Sequence, residues 1–305
     1  MNLPKFRNAI VYRATLPSIE AIEGHLAELQ YEEIGETEFA RAAFVPNPIT
    51  GELVTPIENG YAIVVRRDEK IIPAQVVAKE ARERIERIEK LSGGKLKRQE
   101  RNAIICDVKV DLCKKAFVRS SLILALYNSK DNLLVVNTTN KNISSLVGSL
   151  LIKVVGSLKT ETIHIDNIKN GLTTRLQNHL NGSNDAFDGF TVGDYIQLSR
   201  LAEHKEVLRF SAEHASITNE LTESLAGGFT VDQMELNGCG VNFLLTERFH
   251  FRRIDTQSFN YSDDEDKAFQ WRHQTGADLF QFSQVVNQLC KLLAYKEPEQ
   301  QKPAA

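Results

Sequence analysis

The sequence predicts an α+β fold, and three observations lead there. In the first half, short runs of β-branched and aromatic residues alternate with helices of amphipathic spacing, in the order β-α-β-β and then β-β-α-β. A long charged helical stretch joins these two units. The second half packs strand candidates closely together with turn residues between them, then ends on a long helix. That is the pattern of an antiparallel sheet with helices beside it.

Each element has its own warrant. Asn8 to Arg13 (NAIVYR) reads as a strand. Ser18 can cap the following helix, which places Ile19, Ile22, Leu26 and Leu29 on one face. Ala42 to Val45 and Tyr61 to Val65 read as strands separated by a Pro/Gly/Asn-rich loop, Pro46 to Gly60. Val76 to Leu91 and Asn102 to Leu112 read as two helices broken at Ser92-Gly93-Gly94. Ala116 to Asn128 and Asn132 to Asn137 flank the turn Ser129-Lys130-Asp131, and a helix from Asn142 to Val155 precedes a short strand, Thr162 to Ile165.

In the second half, helices are expected at Leu172 to Leu180 and at His214 to Leu225, where Ala226-Gly227-Gly228 stops the latter. Strands are expected at Phe190 to Ser199, Glu206 to Ser211, Phe229 to Glu235, Val241 to Thr246 and Phe249 to Ile254. Ser258 to Asp266 is an acidic loop, and Ala268 to Tyr295 is helical, in two pieces broken near Gly276. The organisation read from this is 1–73, a basic helical insertion at 74–119, 120–168, a C-terminal α+β region at 169–296, and a disordered polar tail at 297–305.

Composition bounds the function. Hydrophobic residues make up 42% and charged residues 25%, the balance of a soluble globular protein. Met1 to Arg7 lacks the apolar core of a signal peptide. Ile143 to Leu158 is interrupted by Gly148, Lys153 and Gly156 and is too short to span a bilayer, so no membrane partner is expected. Cys106, Cys113, Cys239 and Cys290 form no C-x-x-C pair. Cys106 and Cys113, seven apart on one helix face, read as buried reduced thiols and place the chain in the cytoplasm.

Charge is distributed unevenly. Lys79 to Arg119 holds thirteen basic and seven acidic residues, net +6, in a chain whose formal total is -3. Part of this cancels on paper: Glu80–Arg84, Glu83–Arg87 and Glu86–Lys90 are i,i+4 pairs on an amphipathic helix. What does not cancel is Lys90, Lys95, Lys97, Arg98 and Arg101, set against Glu100 alone. With Lys114, Lys115 and Arg119, these are the candidate phosphate contacts, since localised basic charge on an acidic chain suits a polyanion. A solvated face, or a basic helix docked on an acidic protein, accounts for the same residues.

Catalytic motifs are missing. Gly93-Gly94-Lys95 lacks the spacing of a P-loop, and there is no G-x-S-x-G, H-E-x-x-H or G-x-G-x-x-G. The seven histidines are scattered, His250 at an exposed strand position among them. Asp263, Asp264, Glu265 and Asp266 suit a helix N-terminus better than a Mg²⁺ site. No metal, no cofactor and no enzymatic activity are expected, and a hydrolase with an unrecognised site stays as an alternative.

Several stretches resemble one family. Phe6-Arg7-Asn8-Ala9-Ile10-Val11-Tyr12-Arg13, Phe44-Val45-Pro46, Asn59-Gly60 and Arg67-Asp68-Glu69-Lys70-Ile71-Ile72-Pro73 are similar to the N-terminal motifs of the RdgC family of recombination-associated proteins. Lys95-Leu96-Lys97-Arg98, Lys115-Ala116-Phe117 and Gly156-Ser157-Leu158 match further elements of it. The resemblance spans the chain, specific in residues 1–160 and weak afterwards. It implies a ring-shaped homodimer that binds duplex DNA without sequence preference, associates with the nucleoid and limits access of the RecA recombinase to DNA. It also implies that Phe117 lies near the contact that closes the ring, although a junction aromatic is as readily a core residue. Two departures stand out. The family's basic-polar element falls on Ser211-Ala212-Glu213 here, and the Arg before its Ala-Phe is Lys115.

Overall fold

The structure is a computed structural model and describes residues 2–28, 31–156, 160–163, 165, 167–211, 214–262 and 266–294. The chain opens with β1 (Ile10–Ala14), α1 (Ile19–Glu28), β2 (Ala40–Val45), β3 (Val54–Ile57) and β4 (Gly60–Lys70). Two helices, α2 (Ala74–Ser92) and α3 (Arg98–Lys115), precede β5 (Val118–Asn128), β6 (Leu133–Val136), α4 (Lys141–Val155) and β7 (Thr160–Thr162). These seven strands form one antiparallel sheet in the order β2-β4-β5-β6-β1-β7. Strand β3 shares the outer edge of β4 with β2: β3 pairs Gly60 to Ile63, and β2 pairs Val64 to Glu69.

Alternation along β4 and β5 builds two cores from one sheet. Tyr61, Ile63, Val65, Ile123, Ala125 and Tyr127 face Ile22 and Leu26 of α1 and Val147, Leu151 and Val154 of α4. Ala62, Val64, Leu124 and Leu126 face the other way, into the core shared with the second half. That half contains α5 (Ile168–Leu180), β8 (Thr191–Leu201), β9 (Lys205–Ser211), α6 (His214–Ala226), β10 (Thr230–Gly238), β11 (Val241–Thr246), β12 (Phe251–Asp255) and α7 (Lys267–Leu292). Its five strands make a second antiparallel sheet, ordered β12-β11-β10-β8-β9.

Helix α7 ties the halves together. Leu279, Phe282, Val285, Val286 and Leu289 enter the shared core. Ser283 Oγ accepts from Asn128 Nδ2 at 2.9 Å, and Asn287 Oδ1 accepts from Arg13 Nη2 at 3.0 Å. Phe6 and Phe251 both meet Phe282 edge-on, with centroids at 5.3 and 4.9 Å. The helix is continuous, so Gly276 does not break it. A Cβ on Gly276 would stand 3.1 Å from the backbone nitrogen of Glu58, and glycine is there for the close approach of the β3–β4 turn.

Other expectations are corrected in detail. The Pro46–Gly60 loop contains β3, which turns into β4 through Glu58-Asn59; a Cβ on Gly60 would lie 1.8 Å from the Tyr127 carbonyl oxygen, so only glycine fits. Cys106 is exposed while Cys113 is buried, because α3 turns only one narrow stripe inward. His250 is half-buried in the turn ahead of β12, since Phe249, with φ at 57°, is the residue that turns into the core. Asp266 caps α7, its side chain accepting from Ala268 N at 3.2 Å. Expectations placed on Leu29, Ser157, Leu158, Ala212, Glu213, Asp263, Asp264, Glu265, Tyr295 and the 297–305 tail lie outside the described residues. Among the described residues no helix is long and apolar enough to cross a membrane.

Candidate nucleic-acid interface

Helices α2 and α3 form an arm that leaves the first sheet where β4 ends and re-enters it where β5 begins, at the facing pair Lys70 and Val118. The helices continue the two longest strands of that sheet, so the arm is anchored at its base. Its own core is small: Val77, Ala81 and Val108 are buried, with Ile72, Ile104, Ile105 and Leu112 half-buried around them. Packing thins outward until Leu91, near the tip, is 84% exposed. Gly93, with φ at 66°, ends α2 in the left-handed conformation.

Two glutamates fix the tip. Glu89 Oε1 accepts from the Leu96 backbone N–H at 3.0 Å and from Arg101 Nη2 at 2.7 Å. Those two donors, the Leu96 N–H foremost, hold its carboxyl below the usual range against the opposing effect of burial. Glu100 Oε2 accepts from the Lys97 backbone N–H at 2.7 Å and secures the start of α3. The acids near the tip are thus spent on the loop's backbone, while Lys90, Lys95, Lys97 and Arg98 are exposed and enter no ion pair among the described residues.

The eight predicted cations therefore divide. Arg101 is paired with Glu89 at 2.7 Å, Lys114 lies 3.7 Å from Asp111, and Arg119 lies 2.8 Å from Glu69. Lys115 is exposed and unpaired among the described residues, at the arm's base. Base and tip are roughly 25 Å apart by the helical rise, so these residues form two clusters rather than one patch. Helical spacing alone cancels too much charge. Of the three i,i+4 pairs only Glu80–Arg84 closes, at 3.0 Å, and Arg84 reaches Asp111 as well at 2.8 Å. Lys79, Arg82, Arg87 and Lys109 are left without an ion pair among the described residues, and they join the candidate surface.

Phe117 is 85% exposed, which rejects the core reading. Ile71 and Val118 next to it are exposed too, the Ile71 N–H donating to the Phe117 carbonyl at 2.9 Å, and Phe39, across β4 at the same end of the arm, is exposed as well. A groove of about 960 Å³ runs along the arm from Phe39, with Ile72, Val77, Ala81, Ile85 and Ile105 on its walls. Exposed apolar residues grouped at one end of an element are of the kind found at interaction surfaces.

The hydrolase alternative directs attention to one polar cluster. Lys169 Nζ lies 3.1 Å from Ser199 Oγ and 2.6 Å from Asp232 Oδ1, which also accepts from Ser199 Oγ at 2.6 Å. The spacing suits a serine–lysine pair, but its state does not. Burial would lower the Lys169 pKa, yet Asp232 and Glu247 raise it overall, so the amine stays an ammonium and is no base. Ser199 is 2% exposed. Burial likewise opposes ionisation of Asp232, and Lys169 and Ser199 overcome it, bringing that carboxyl to about 2. The cluster is a clasp joining α5, β8 and β10. Its folded pKa is depressed, so its contribution, about 2 kcal/mol, is present above the unfolded value near pH 4 and lost as pH falls toward 2. Urea melts across that window are expected to show the loss in the wild type and not in Asp232→Asn. Among the described residues no three His, Cys, Asp or Glu side chains are grouped to hold a metal ion.

Comparison with known proteins agrees with the resemblance read from the sequence. Residues 5–295 match the family model described as "Putative exonuclease, RdgC". The recombination-associated protein RdgC of Aeromonas hydrophila is 28% identical over 255 residues, covering 82% of each chain. That of Psychromonas ingrahamii is 26% identical over 267 residues, covering 86% of this chain and 87% of the relative. That of Edwardsiella ictaluri is 27% identical over 239 residues, covering 76% and 77%.

Proposed function

The chain belongs to the RdgC family, and from that premise we propose that it is a sequence-independent duplex-DNA-binding protein that works as a ring-shaped homodimer. The observation that carries the reading is the arm tip, where Lys90, Lys95, Lys97 and Arg98 are exposed with no carboxylate paired to them among the described residues, on a chain of net charge -3. Cations held on helices and a pinned loop meet phosphates without reading bases. Dimerisation through the exposed apolar residues at the arm's base, Phe117 foremost, brings two arms to one duplex. A ring closed on DNA in the cytoplasm, on the nucleoid, occupies the substrate of RecA and limits recombination by occlusion.

The test is affinity for several unrelated duplexes, measured by fluorescence anisotropy across salt concentrations. One steep slope shared by every sequence is expected. No binding at low salt would sink the reading and leave the arm to an acidic protein partner, which the apolar groove beside it also suits. Closed circular DNA should retain protein that linearisation releases. The same labelled duplexes, run on denaturing gels with Mg²⁺ or Mn²⁺, read the exonuclease activity that the family description names, and intact strands are expected.

A further inference from the structure

A second cavity lies away from the arm, between the N-terminal segment, the end of β12 and α7, with a volume of about 410 Å³. That is within the range of small-ligand sites, roughly 300–1,000 Å³. Asp278 lines it and is only 8% exposed. Its Oδ1 accepts twice, from Thr256 Oγ1 and from Gln274 Nε2, each at 2.7 Å. No described group donates to Oδ2, and no cation among the described residues pairs with this carboxylate. Oδ2 is not sealed from solvent, so a ligand that enters the cavity can donate to it.

The rest of the lining says what could visit. Trp271 provides a flat aromatic wall. Lys5 and Arg7 stand exposed at the rim and enter no ion pair among the described residues. Their backbone is fixed: the Lys5 carbonyl accepts from Asn137 Nδ2 and the Arg7 carbonyl from Ile254 N, at 2.9 and 2.8 Å. Asp255 adds a second carboxylate at the rim. A purely anionic ligand would meet Asp278, and a purely cationic one would meet Lys5 and Arg7. A ligand with a flat ring, an amino donor and an anion satisfies all three features.

We propose that this cavity binds a nucleoside monophosphate unit whose base carries an exocyclic amine, the amine on Asp278 Oδ2, the ring against Trp271 and the phosphate toward Lys5 and Arg7. The unit is either a free nucleotide or the unpaired terminal nucleotide of a strand. The proposal is independent of the arm, because a free nucleotide would bind here whether or not the arm holds DNA.

Trp271 is the chain's only tryptophan, so its fluorescence reports on this cavity alone. Titration of the full chain with deoxyadenosine, deoxycytidine and deoxyguanosine monophosphates is expected to give saturable quenching, with thymidine monophosphate, which lacks the amine, at least about tenfold weaker. In Asp278→Asn, Thr256 and Gln274 hold the single amide oxygen, so the amide NH₂ faces the cavity and opposes the ligand's amine. Binding should fall by about tenfold or more. Lys5→Ala with Arg7→Ala, on exposed positions, should weaken monophosphates but not the unphosphorylated nucleosides, and keeps the test valid should Asp278→Asn melt early. Duplexes with a one-nucleotide overhang, set against blunt ones, distinguish a strand end from a free nucleotide. Absence of quenching by any nucleotide at millimolar concentration, equal binding of thymidine monophosphate, or unchanged binding in both variants overturns the proposal.

Discussion

Alanine at Lys90, Lys95, Lys97 and Arg98 together is expected to lower duplex affinity by at least about three orders of magnitude near physiological salt. Each phosphate neutralised releases close to one counterion, about 1 kcal/mol at such concentrations, and four cations are removed from each arm, so the contacts of one arm alone account for that loss. The log–log salt slope should fall by about one unit for each phosphate no longer neutralised, equally on every duplex sequence. The variant should fold normally, because none of the four is buried or ion-paired among the described residues, and the tip loop is held by Glu89 and Glu100 instead. Arg101→Ala is the informative contrast. Arg101 is tied to Glu89 at 2.7 Å, so its removal frees a carboxylate at the tip as well as deleting a cation. Deleting the cation should by itself weaken binding only slightly, and Glu89→Gln in the Arg101→Ala background should restore part of the affinity. Unchanged affinity and slope in the folded quadruple variant would make the tip a solvated face.

Much of this is legible in the sequence because local chemistry and tertiary context agree. The NAIVYR strand, the amphipathic spacing of Ile143, Val147, Leu151 and Val154, and the Gly93 stop each form what their pattern predicts. Strand β3 is hidden because Pro56 breaks the pattern of a strand. It is tolerated because β3 lies on the sheet's edge and pairs with β4 alone, where a missing N–H costs no ladder bond. Gly276 resembles a helix break because the sequence does not reveal Glu58 packed against it. The ion pairs are the least legible. Spacing along α2 favours Glu83–Arg87 and Glu86–Lys90, yet cross-helix partners decide the outcome, as Arg84 with Asp111 and Arg101 with Glu89 show. Exposed pairs of this kind differ by only a fraction of a kcal/mol, so local spacing does not determine which of them close.

Phe117→Ala is expected to shift the monomer–dimer equilibrium by about thirtyfold or more, the equivalent of roughly 2 kcal/mol, while leaving the subunit's melting temperature nearly unchanged. The two effects separate because the ring is 85% exposed in the single chain. Truncating it opens no cavity in the fold, whereas a buried phenylalanine would cost about 3–5 kcal/mol. It does remove the most exposed of the apolar side chains at the arm's base, where Phe39, Ile71 and Val118 are exposed as well and a groove of about 960 Å³ opens beside Phe39. A ring exposed in the monomer and buried between two copies contributes to association alone. Duplex affinity should fall with dimerisation, since one arm then replaces two linked ones and the second set of phosphate contacts loses its effective concentration. At protein concentrations high enough to restore the dimer, the salt slope should return to the wild-type value, because the phosphate-binding cations themselves are intact. Sedimentation velocity and thermal melts on the same preparation read both quantities. A lowered melting temperature with unchanged dimerisation would return Phe117 to the subunit's own stability and place the closing contact elsewhere.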